Sequence, residues 1–466
     1  IMEKYTELLS EIKSQVPVGE SFDLLERKLE IAGRDAEMFF VDGLVDGSMM
    51  QRVLFSLFSL KTEQLETAET MEQFLQSNLP FLDAMITRDV DQAIKYLYSG
   101  LVPLLISGYD GIIIIDCRSY PLRSVQEPSK EQSLRGAKDG FVESMMTNIA
   151  LIRRRIRDND LIFKVYNIGE MTKSDTSMVY MKGKADSSMV EKLDRCLRSL
   201  RIEGLTVTEQ SLVEALLGRK RGLFNPFPKV RYTQRPDIIA AHVEEGKIAV
   251  IVDNTPTVIL IPAGIFDFLQ DIDDYYFPVM IGNYFRALRI TNMIVILFAT
   301  PVYLLFAEGT IPTYEGLRFF ITEEEFAISI FWQFILLEIA VDGLKLASLN
   351  TPESLGMSLS VIGALVLGEF SVSSGWFVPQ TILCMAVVAL ASFIQPSMEL
   401  GYAIKFVRIL MLIGAHCFGW PGMAAAFVLS VAVMAGTRTI VGTSYLYPLV
   451  PFDGKKLKRL VFRTKK

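Results

Sequence analysis

The pattern of apolar and charged positions divides the chain into two halves of different character. Residues 1–285 carry charged side chains throughout, and their apolar residues come in short runs separated by turns. Residues 287–436 instead hold long apolar runs with few ionisable groups. Short runs of this kind are typical of a soluble α/β fold, and long ones are typical of membrane helices. The pattern therefore predicts a soluble N-terminal region attached to a polytopic α-helical membrane domain.

The soluble half contains two copies of one sequence pattern. Segment 40–49, which combines a strand, a glycine turn and the start of a helix, is matched further along the chain by 180–189. The helix and hairpin at 91–115 are matched by 237–261. Two matches in the same order at nearly the same offset favour a duplication over chance similarity. We therefore expect two similar α/β subdomains.

The repeat and the apolar runs together set the expected domain boundaries. In each copy a serine, Ser48 or Ser188, is expected to cap the helix that follows the glycine turn. The boundaries are 1–118 for the first α/β subdomain, 119–158 for a linker and basic helix, 159–285 for the second subdomain, 286–440 for the membrane domain and 441–466 for a basic tail.

Six apolar runs are candidates for membrane segments, because about 20 helical residues cross a hydrocarbon core of about 30 Å. They are 288–306, 326–346, 355–370, 376–394, 404–417 and 423–435. The last two are short and are joined by a turn, 418–422, that contains glycine and proline, so we expect four to six segments. Arg286 and Arg289 lie at the entry of the first run, and the C-terminal tail is rich in Lys and Arg. Because positive residues favour the cytoplasmic side, both termini are predicted there.

The run 355–370 carries a small residue at every fourth position. These residues are Gly356, Ser360, Ala364 and Gly368. On an α-helix they form one narrow stripe, which in a membrane permits the close approach of a second helix. The same stripe is compatible with the axis of a ring of subunits, where small side chains leave room for ions. Both interpretations stay open, and in the second Val361 and Leu365 join the pore-lining candidates.

Ionisable side chains inside the apolar runs are functional candidates because they are costly at membrane depth. Glu338 and Asp342 lie four residues apart on one helical face, with Lys345 beside them. Facing a water-filled path, the two carboxylates would attract cations. If the two carboxylates instead lie near the inner membrane surface, Lys345 would neutralise them. The helix predicted at 355–370 is called the small-residue helix below. If copies of this helix surround a pore, Glu369 would form an acidic ring at its outer mouth.

Basic residues form two further groups. The helix predicted at 141–157 ends in a cluster of four arginines: Arg153, Arg154, Arg155 and Arg157. This cluster is a candidate contact for anionic lipid headgroups or for the acidic face of a neighbouring subunit. The alternative is a solvated helix end whose charge complements the helix dipole. In the membrane half, Lys405 and Arg408 are expected to extend along their apolar stems to the membrane surface.

Composition argues against several classes of protein. The formal net charge of -6 gives no reason to expect a nucleic-acid partner. The 4 cysteines form no CxxC pair and the 2 histidines stand far apart, so neither a metal site nor a disulfide framework is expected. The chain has no P-loop, zincin or nucleophile-elbow motif. We therefore expect neither an enzyme nor a cofactor.

Several long motifs resemble the GerA family of spore germinant receptor A subunits. In the soluble half they are 135–143, 147–157, 225–228, 235–241, 253–258 and 274–276. In the membrane half, segments 333–338, 346–352, 396–401 and 447–452 are more similar to a sporulation paralogue of these receptors than to a nutrient receptor. The resemblance covers most of the chain.

The resemblance implies a multi-pass protein of the spore inner membrane that forms a homo-oligomer, a pentamer, and conducts monovalent cations during germination. It also implies a small membrane partner protein and other germination proteins as partners. The similarity to the paralogue implies amplification of ion release in place of nutrient recognition. Two other readings remain open from the residues: a non-conducting receptor or scaffold subunit, and a secondary transporter with its site at the helix break near 419–422.

Overall fold

The chain folds into two units in a computed structural model. The structure describes residues 2–68, 70–78, 83–119, 131, 136–218, 225–271, 273–312, 326–350, 361–363, 365–454, 457, 458 and 462. One unit, the α/β unit, comprises Ile1–Arg221 and Val230–Pro262. The other, the helical unit, comprises Gly222–Lys229 and Ala263–Lys466, and so includes residues that the predicted boundaries place in the second subdomain.

The first α/β subdomain is built on an antiparallel sheet of order β1-β2-β4-β5-β3. Its strands are β1 (Leu24–Ile31), β2 (Arg34–Val41), β3 (Ala84–Thr87), β4 (Val102–Ile106) and β5 (Ile112–Ile115). Its helices are α1 (Met2–Gln15), α2 (Gly47–Phe58), α3 (Thr62–Thr67), α4 (Met71–Asn78) and α5 (Val90–Leu97). Helices α2 to α4 pack with Leu104 and Ile113, while α1 and α5 pack with Leu105 and Ile114. Because both sheet faces are covered, β4 and β5 are apolar at nearly every position.

The second subdomain repeats this plan. Its strands are β6 (Leu161–Ile168), β7 (Ser174–Met181), β8 (Arg231–Thr233), β9 (Ile248–Val252) and β10 (Val258–Ile261). Its helices are α6 (Met145–Arg155), α7 (Ser187–Ser199), α8 (Thr208–Leu217) and α9 (Pro236–Glu244). The sheet order is β6-β7-β9-β10-β8, so each strand occupies the position of its counterpart in the first sheet. The offset from β2 to β7 equals that of the first sequence match, and the offset from β4 to β9 equals that of the second, which confirms the duplication.

The helix caps of the two copies also correspond, but they are not the predicted serines. The Asp46 carboxylate accepts hydrogen bonds from the backbone N–H groups of Ser48 (2.8 Å) and Met49 (3.0 Å). Asp186 accepts from the N–H of Ser188 at 2.9 Å in the second copy. The predicted caps are therefore wrong, since in each copy the aspartate two positions earlier caps the helix. A carboxylate at the helix start both satisfies free N–H groups and interacts favourably with the helix dipole.

The helical unit contains two helices that are long and apolar enough to cross a membrane, so the described residues give two candidate spans where four to six are predicted. These helices are α12 (Val279–Ala307) and α16 (Met398–Gly436). The others are α10 (Ile265–Leu269), α11 (Asp273–Tyr276), α13 (Ile330–Asn350), a π-helical segment (Leu365–Phe370), α14 (Ser371–Ser373) and α15 (Pro379–Phe393). Helix α13 has 21 residues but contains three ionisable ones, and α15 has only 15 residues.

Helix α16 is broken inside the turn predicted at 418–422. Gly419 has φ 65° and ψ −150°, which is a non-helical conformation open to glycine. The chain folds back at this point, because a Cβ atom on Gly422 would lie only 2.1 Å from the backbone oxygen of Gly414. The two short apolar runs, 404–417 and 423–435, thus form the two arms of α16, one on each side of Gly419. Where the arms approach each other, Gly414 and Gly422 leave no room for a Cβ atom.

Candidate functional site

A cluster of charged side chains lies among the apolar helices of the helical unit. Glu338 and Asp342 of α13 lie about one turn apart on the same face, as their spacing predicts. Helix α16 places Lys405 and Arg408 directly against them. Glu338 is 4% exposed and Arg408 is 3% exposed. Such burial of ionised groups is costly unless they are paired and hydrogen-bonded.

Lys405 occupies the middle of this ion cluster. Its Nζ lies 3.2 Å from Glu338 Oε2 and donates a hydrogen bond to the backbone oxygen of Glu338, also at 3.2 Å. It donates a further hydrogen bond to Asp342 Oδ2. Arg408 forms an ion pair with Glu338 Oε1 and donates from Nη1 to the backbone oxygen of Ile296 at 3.0 Å. One turn of α13 therefore surrounds the Lys405 ammonium with three oxygen atoms.

These contacts differ from the roles expected for the basic residues of the membrane half. The expectation that Lys405 and Arg408 extend to the membrane surface is wrong, because both turn inward and compensate the two buried carboxylates. Lys345, the expected neutralising residue, instead donates to Ser392 Oγ at 3.2 Å and lies 4.9 Å from the ring centre of Phe393. The sequence does hold a signal for the observed pairing. Acids four apart and bases three apart each form one helical face.

A cavity of about 270 Å³ adjoins the ion cluster. Five charged side chains of the described residues line it: Glu338, Asp342, Lys345, Lys405 and Arg408. Ser392 in the last turn of α15 and Gln395 just after this helix add polar groups, and Val341 and Val388 are among the apolar residues of the cavity wall. Sequence reasoning did not find Ser392 or Gln395, because a single polar residue near the end of an apolar run has no distinguishing pattern.

The predicted small-residue stripe falls partly outside the described residues, where Gly356, Ser360 and Ala364 lie. Val361 and Leu365 are 55% and 41% exposed, and Glu369 is also exposed. Gly368 belongs to the π-helical segment, whose hydrogen bonds join residues five apart. Residues that are four apart in the sequence therefore do not lie above one another on the surface of this segment. The pore-lining and acidic-ring roles of these residues stay predictions.

A second buried ion network fixes the start of α12. Arg289 Nη1 donates to both carboxylate oxygens of Asp274 at 2.7 Å, and Arg286 Nε donates to Asp274 Oδ2 at 3.3 Å. Gly282 permits this approach, since a Cβ atom there would lie 2.3 Å from the backbone oxygen of Asp274. The sequence predicts only that the two arginines lie at the cytoplasmic end of the first apolar run, and it does not predict their carboxylate partner. Their shared carboxylate lies in one of the motifs that carry the family resemblance.

The basic cluster at the end of α6 divides between buried and exposed positions. Arg153 is completely buried and pairs with the equally buried Asp23, with 2.7 Å between Nε and Oδ2. Arg155 is partly buried in another ion pair. Arg154 and Arg157 are exposed. Burial removes Arg153 from any lipid headgroup, so the predicted contact with a membrane or a neighbouring subunit now rests mainly on the two exposed arginines.

The described residues thus form a duplicated α/β unit and a helical unit that contains two helices long and apolar enough to cross a membrane. The family model described as "Bacillus/Clostridium GerA spore germination protein" matches residues 10–466. The chain therefore belongs to the GerA family of spore germination proteins, as its motifs predict.

The chain is also similar to individual proteins. Stage V sporulation protein AF of Bacillus subtilis (strain 168) is 32% identical over 454 residues, which cover 97% of this chain and 91% of that protein. Spore germination protein KA of the same organism is 28% identical over 461 residues, with 98% and 83% covered. The crystal structure of the N-terminal domain of the A subunit of the Bacillus megaterium spore germinant receptor GerK3 matches 54% of this chain and 92% of its own, at 24% identity and a TM-score of 0.41.

Proposed function

We propose that the chain is a subunit of an oligomeric, pentameric ion channel of the spore inner membrane that releases monovalent cations and amplifies the signal during germination. Membership of the GerA family supports the role in germination. The ion cluster supports the conduction of cations. The observation that carries the proposal is that two oxygens of Glu338 and one of Asp342 hold the Lys405 ammonium.

The surroundings of Lys405 are those that a monovalent cation requires. Channels conduct cations where backbone and carboxylate oxygens replace the water of the hydration shell. In this conformation the lysine ammonium takes the place of the ion, so the two carboxylates attract no further cation. Movement of α16 relative to α13 would withdraw the ammonium and free the three oxygens. We therefore assign this conformation to a closed channel in which Lys405 acts as a tethered cation.

Oligomer formation is supported by the apolar surface of the small-residue helix. Val361, Ile362 and Val366 are all more than half exposed in the single chain. In a ring of subunits, one side of this helix would line the axis and the other would pack on a neighbour. The α/β unit would then assemble and gate the ring from the cytoplasmic side, where both termini are predicted.

Replacing Lys405 by Met should increase cation leak from liposomes that contain the purified chain. Loss of one charge about 4 Å from a carboxylate changes the local energy by about 4 kcal/mol at an effective dielectric constant of about 20, so an increase of about tenfold or more is expected. Potassium release from loaded liposomes measures it. The exposed Lys458→Met serves as the matched control, and Lys405→Met combined with Asp342→Asn should leak less than Lys405→Met alone.

Leak should also rise when the predicted constriction is widened. Val361→Ala or Leu365→Ala removes an exposed side chain from the helix assigned to the pore, which enlarges the narrowest opening. Leu383→Ala, in the similarly exposed surface of α15, is the control and should leave the leak unchanged. Single-channel currents in planar bilayers give the measurement. Unchanged conductance in both variants would remove this helix from the pore.

The second candidate function is a non-conducting receptor or scaffold subunit that organises a germination complex. The complete pairing of Glu338 and Asp342 favours it, because neutralised carboxylates also stabilise the packing of two helices. A scaffold predicts no potassium release from liposomes for the wild-type chain or for Lys405→Met. Release from either preparation would rule it out.

A further inference from the structure

We propose that the cavity beside the ion cluster binds a small organic monoanion, with the oxyanion group at Lys345 and Arg408 and an apolar body against the apolar residues of the wall. This proposal goes beyond conduction and does not depend on it. It rests on the charges that line the cavity, on one unsatisfied donor and on the size and polarity of the wall.

The charged groups around the cavity do not balance. Glu338 pairs with Arg408, and Asp342 pairs with Lys405. Lys345 is left as a third cation, and no carboxylate of the described chain lies within ion-pair distance of it. Among the described residues, its ammonium donates a hydrogen bond to the hydroxyl of Ser392 only, at 3.2 Å. A half-buried cation of this kind is stabilised by an anion in the adjoining space, and the net excess of one positive charge specifies a monoanion.

Arg408 contributes a second incomplete group. Its Nε has no hydrogen-bond partner in the part of the chain that the structure describes, although the residue is only 3% exposed. A buried donor without an acceptor is unfavourable, so an acceptor atom of a bound ligand would stabilise this group. Because Arg408 and Lys345 line the same cavity, one oxyanion with two acceptor atoms can serve both.

The cavity also limits the size and shape of the ligand. Its volume of about 270 Å³ lies just below the range of about 300–1,000 Å³ that is usual for drug-sized ligands, so the guest is small. Val341, Met385 and Val388 supply an apolar surface, and Phe393 adds an aromatic edge. A compact carboxylate with an apolar body matches both parts of the wall, whereas a small inorganic anion would leave the apolar part unfilled.

Benzoate is a suitable probe, and the neutral, nearly isosteric benzamide is its control. The full chain in detergent micelles should bind benzoate saturably in isothermal titration and bind benzamide far more weakly. Lys345→Gln should weaken benzoate binding about tenfold, since it removes a charge-assisted hydrogen bond to the oxyanion. Lys345→Arg should restore binding, and the exposed Lys458→Gln should leave it unchanged.

The same oxyanion could be presented by a free carboxylate or by an anionic lipid headgroup. Competition between benzoate and short-chain phosphatidylglycerol separates the two sources, and the zwitterionic short-chain phosphatidylcholine is the control. The ligand that binds more tightly identifies the source.

Three results would overturn the proposal: no saturable benzoate binding at millimolar concentrations, equal binding of benzamide, or full binding by Lys345→Gln. The titration needs no ion flux, so its outcome separates cleanly from that of the liposome experiment. Binding without potassium release would refute conduction alone, and release without binding would refute this site alone.

Discussion

Replacement of Arg153 by Met is expected to destabilise the α/β unit by about 3–5 kcal/mol, because it leaves the Asp23 carboxylate buried without a counter-charge. Both side chains are completely buried. The guanidinium Nε and Nη2 donate to the two carboxylate oxygens at 2.7 and 3.0 Å. This bidentate geometry fixes the orientation of both groups. Removal of one partner is therefore far more damaging than removal of an exposed arginine.

Arg153 also joins the two subdomains. Asp23 directly precedes β1 of the first sheet, while the Arg153 Nη2 donates to the backbone oxygen of Leu161, which opens β6 of the second sheet, at 2.9 Å. The guanidinium carbon lies 5.0 Å from the ring centres of both Tyr98 and Phe163. Burial raises the pKa of the Tyr98 hydroxyl, so this ring stays neutral beside the cation. One side chain thus connects the backbone and rings of both copies.

Urea unfolding of the full chain in mild detergent, followed by pulse proteolysis, measures the loss of stability. Arg155→Met is the matched control in the same helix turn, because its ion pair is partly exposed and should contribute about 1 kcal/mol or less. Arg153→Met combined with Asp23→Leu should recover much of the lost stability, since replacing both members of a buried pair is often neutral. Equal losses for Arg153→Met and Arg155→Met would contradict the assignment.

Local patterns in the sequence were sufficient to predict the repeated α/β plan. Strand, glycine turn and helix signals depend on neighbouring residues, and they recur at the same offsets as the strands of the two sheets. The helix caps show the limit of such signals. Asp46 and Ser48 are both good capping residues two positions apart, and only the path of the backbone decides between them.

The pairing of charges could not be predicted in the same way. One interpretation of the sequence is that Lys345 neutralises Glu338 and Asp342 on the same helix. The observed partners, Lys405 and Arg408, instead come from α16, a helix distant in the sequence. Arg153 was likewise grouped with its neighbours as a basic cluster, although residues 148–153 of α6 are all buried and Arg154 is the exposed residue of this helix. Partners across helices depend on packing, which a single sequence does not specify.

Replacement of Gly422 by Ala is expected to separate the two arms of α16. The added Cβ would lie 2.1 Å from the backbone oxygen of Gly414 and 2.7 Å from the Cβ of Phe418. Backbone atoms of a packed helix cannot withdraw as the end of a flexible side chain can. We expect a loss of about 3 kcal/mol or more, as for other substitutions that overpack a buried contact.

The melting temperature of the full chain in detergent gives the measurement, with an expected fall of roughly 6–12 °C for a unit of about 200 residues. Gly401→Ala provides the control on the first arm of the same helix, because a Cβ there meets nothing within 4 Å. Alanine improves helix propensity at both positions, by about 0.8–1.0 kcal/mol in an exposed helix interior. Gly401→Ala should therefore keep or raise the melting temperature. If Gly422→Ala did the same, the two arms would not be in close contact, and Lys405 and Arg408 would lack the firm support that their pairing with α13 requires.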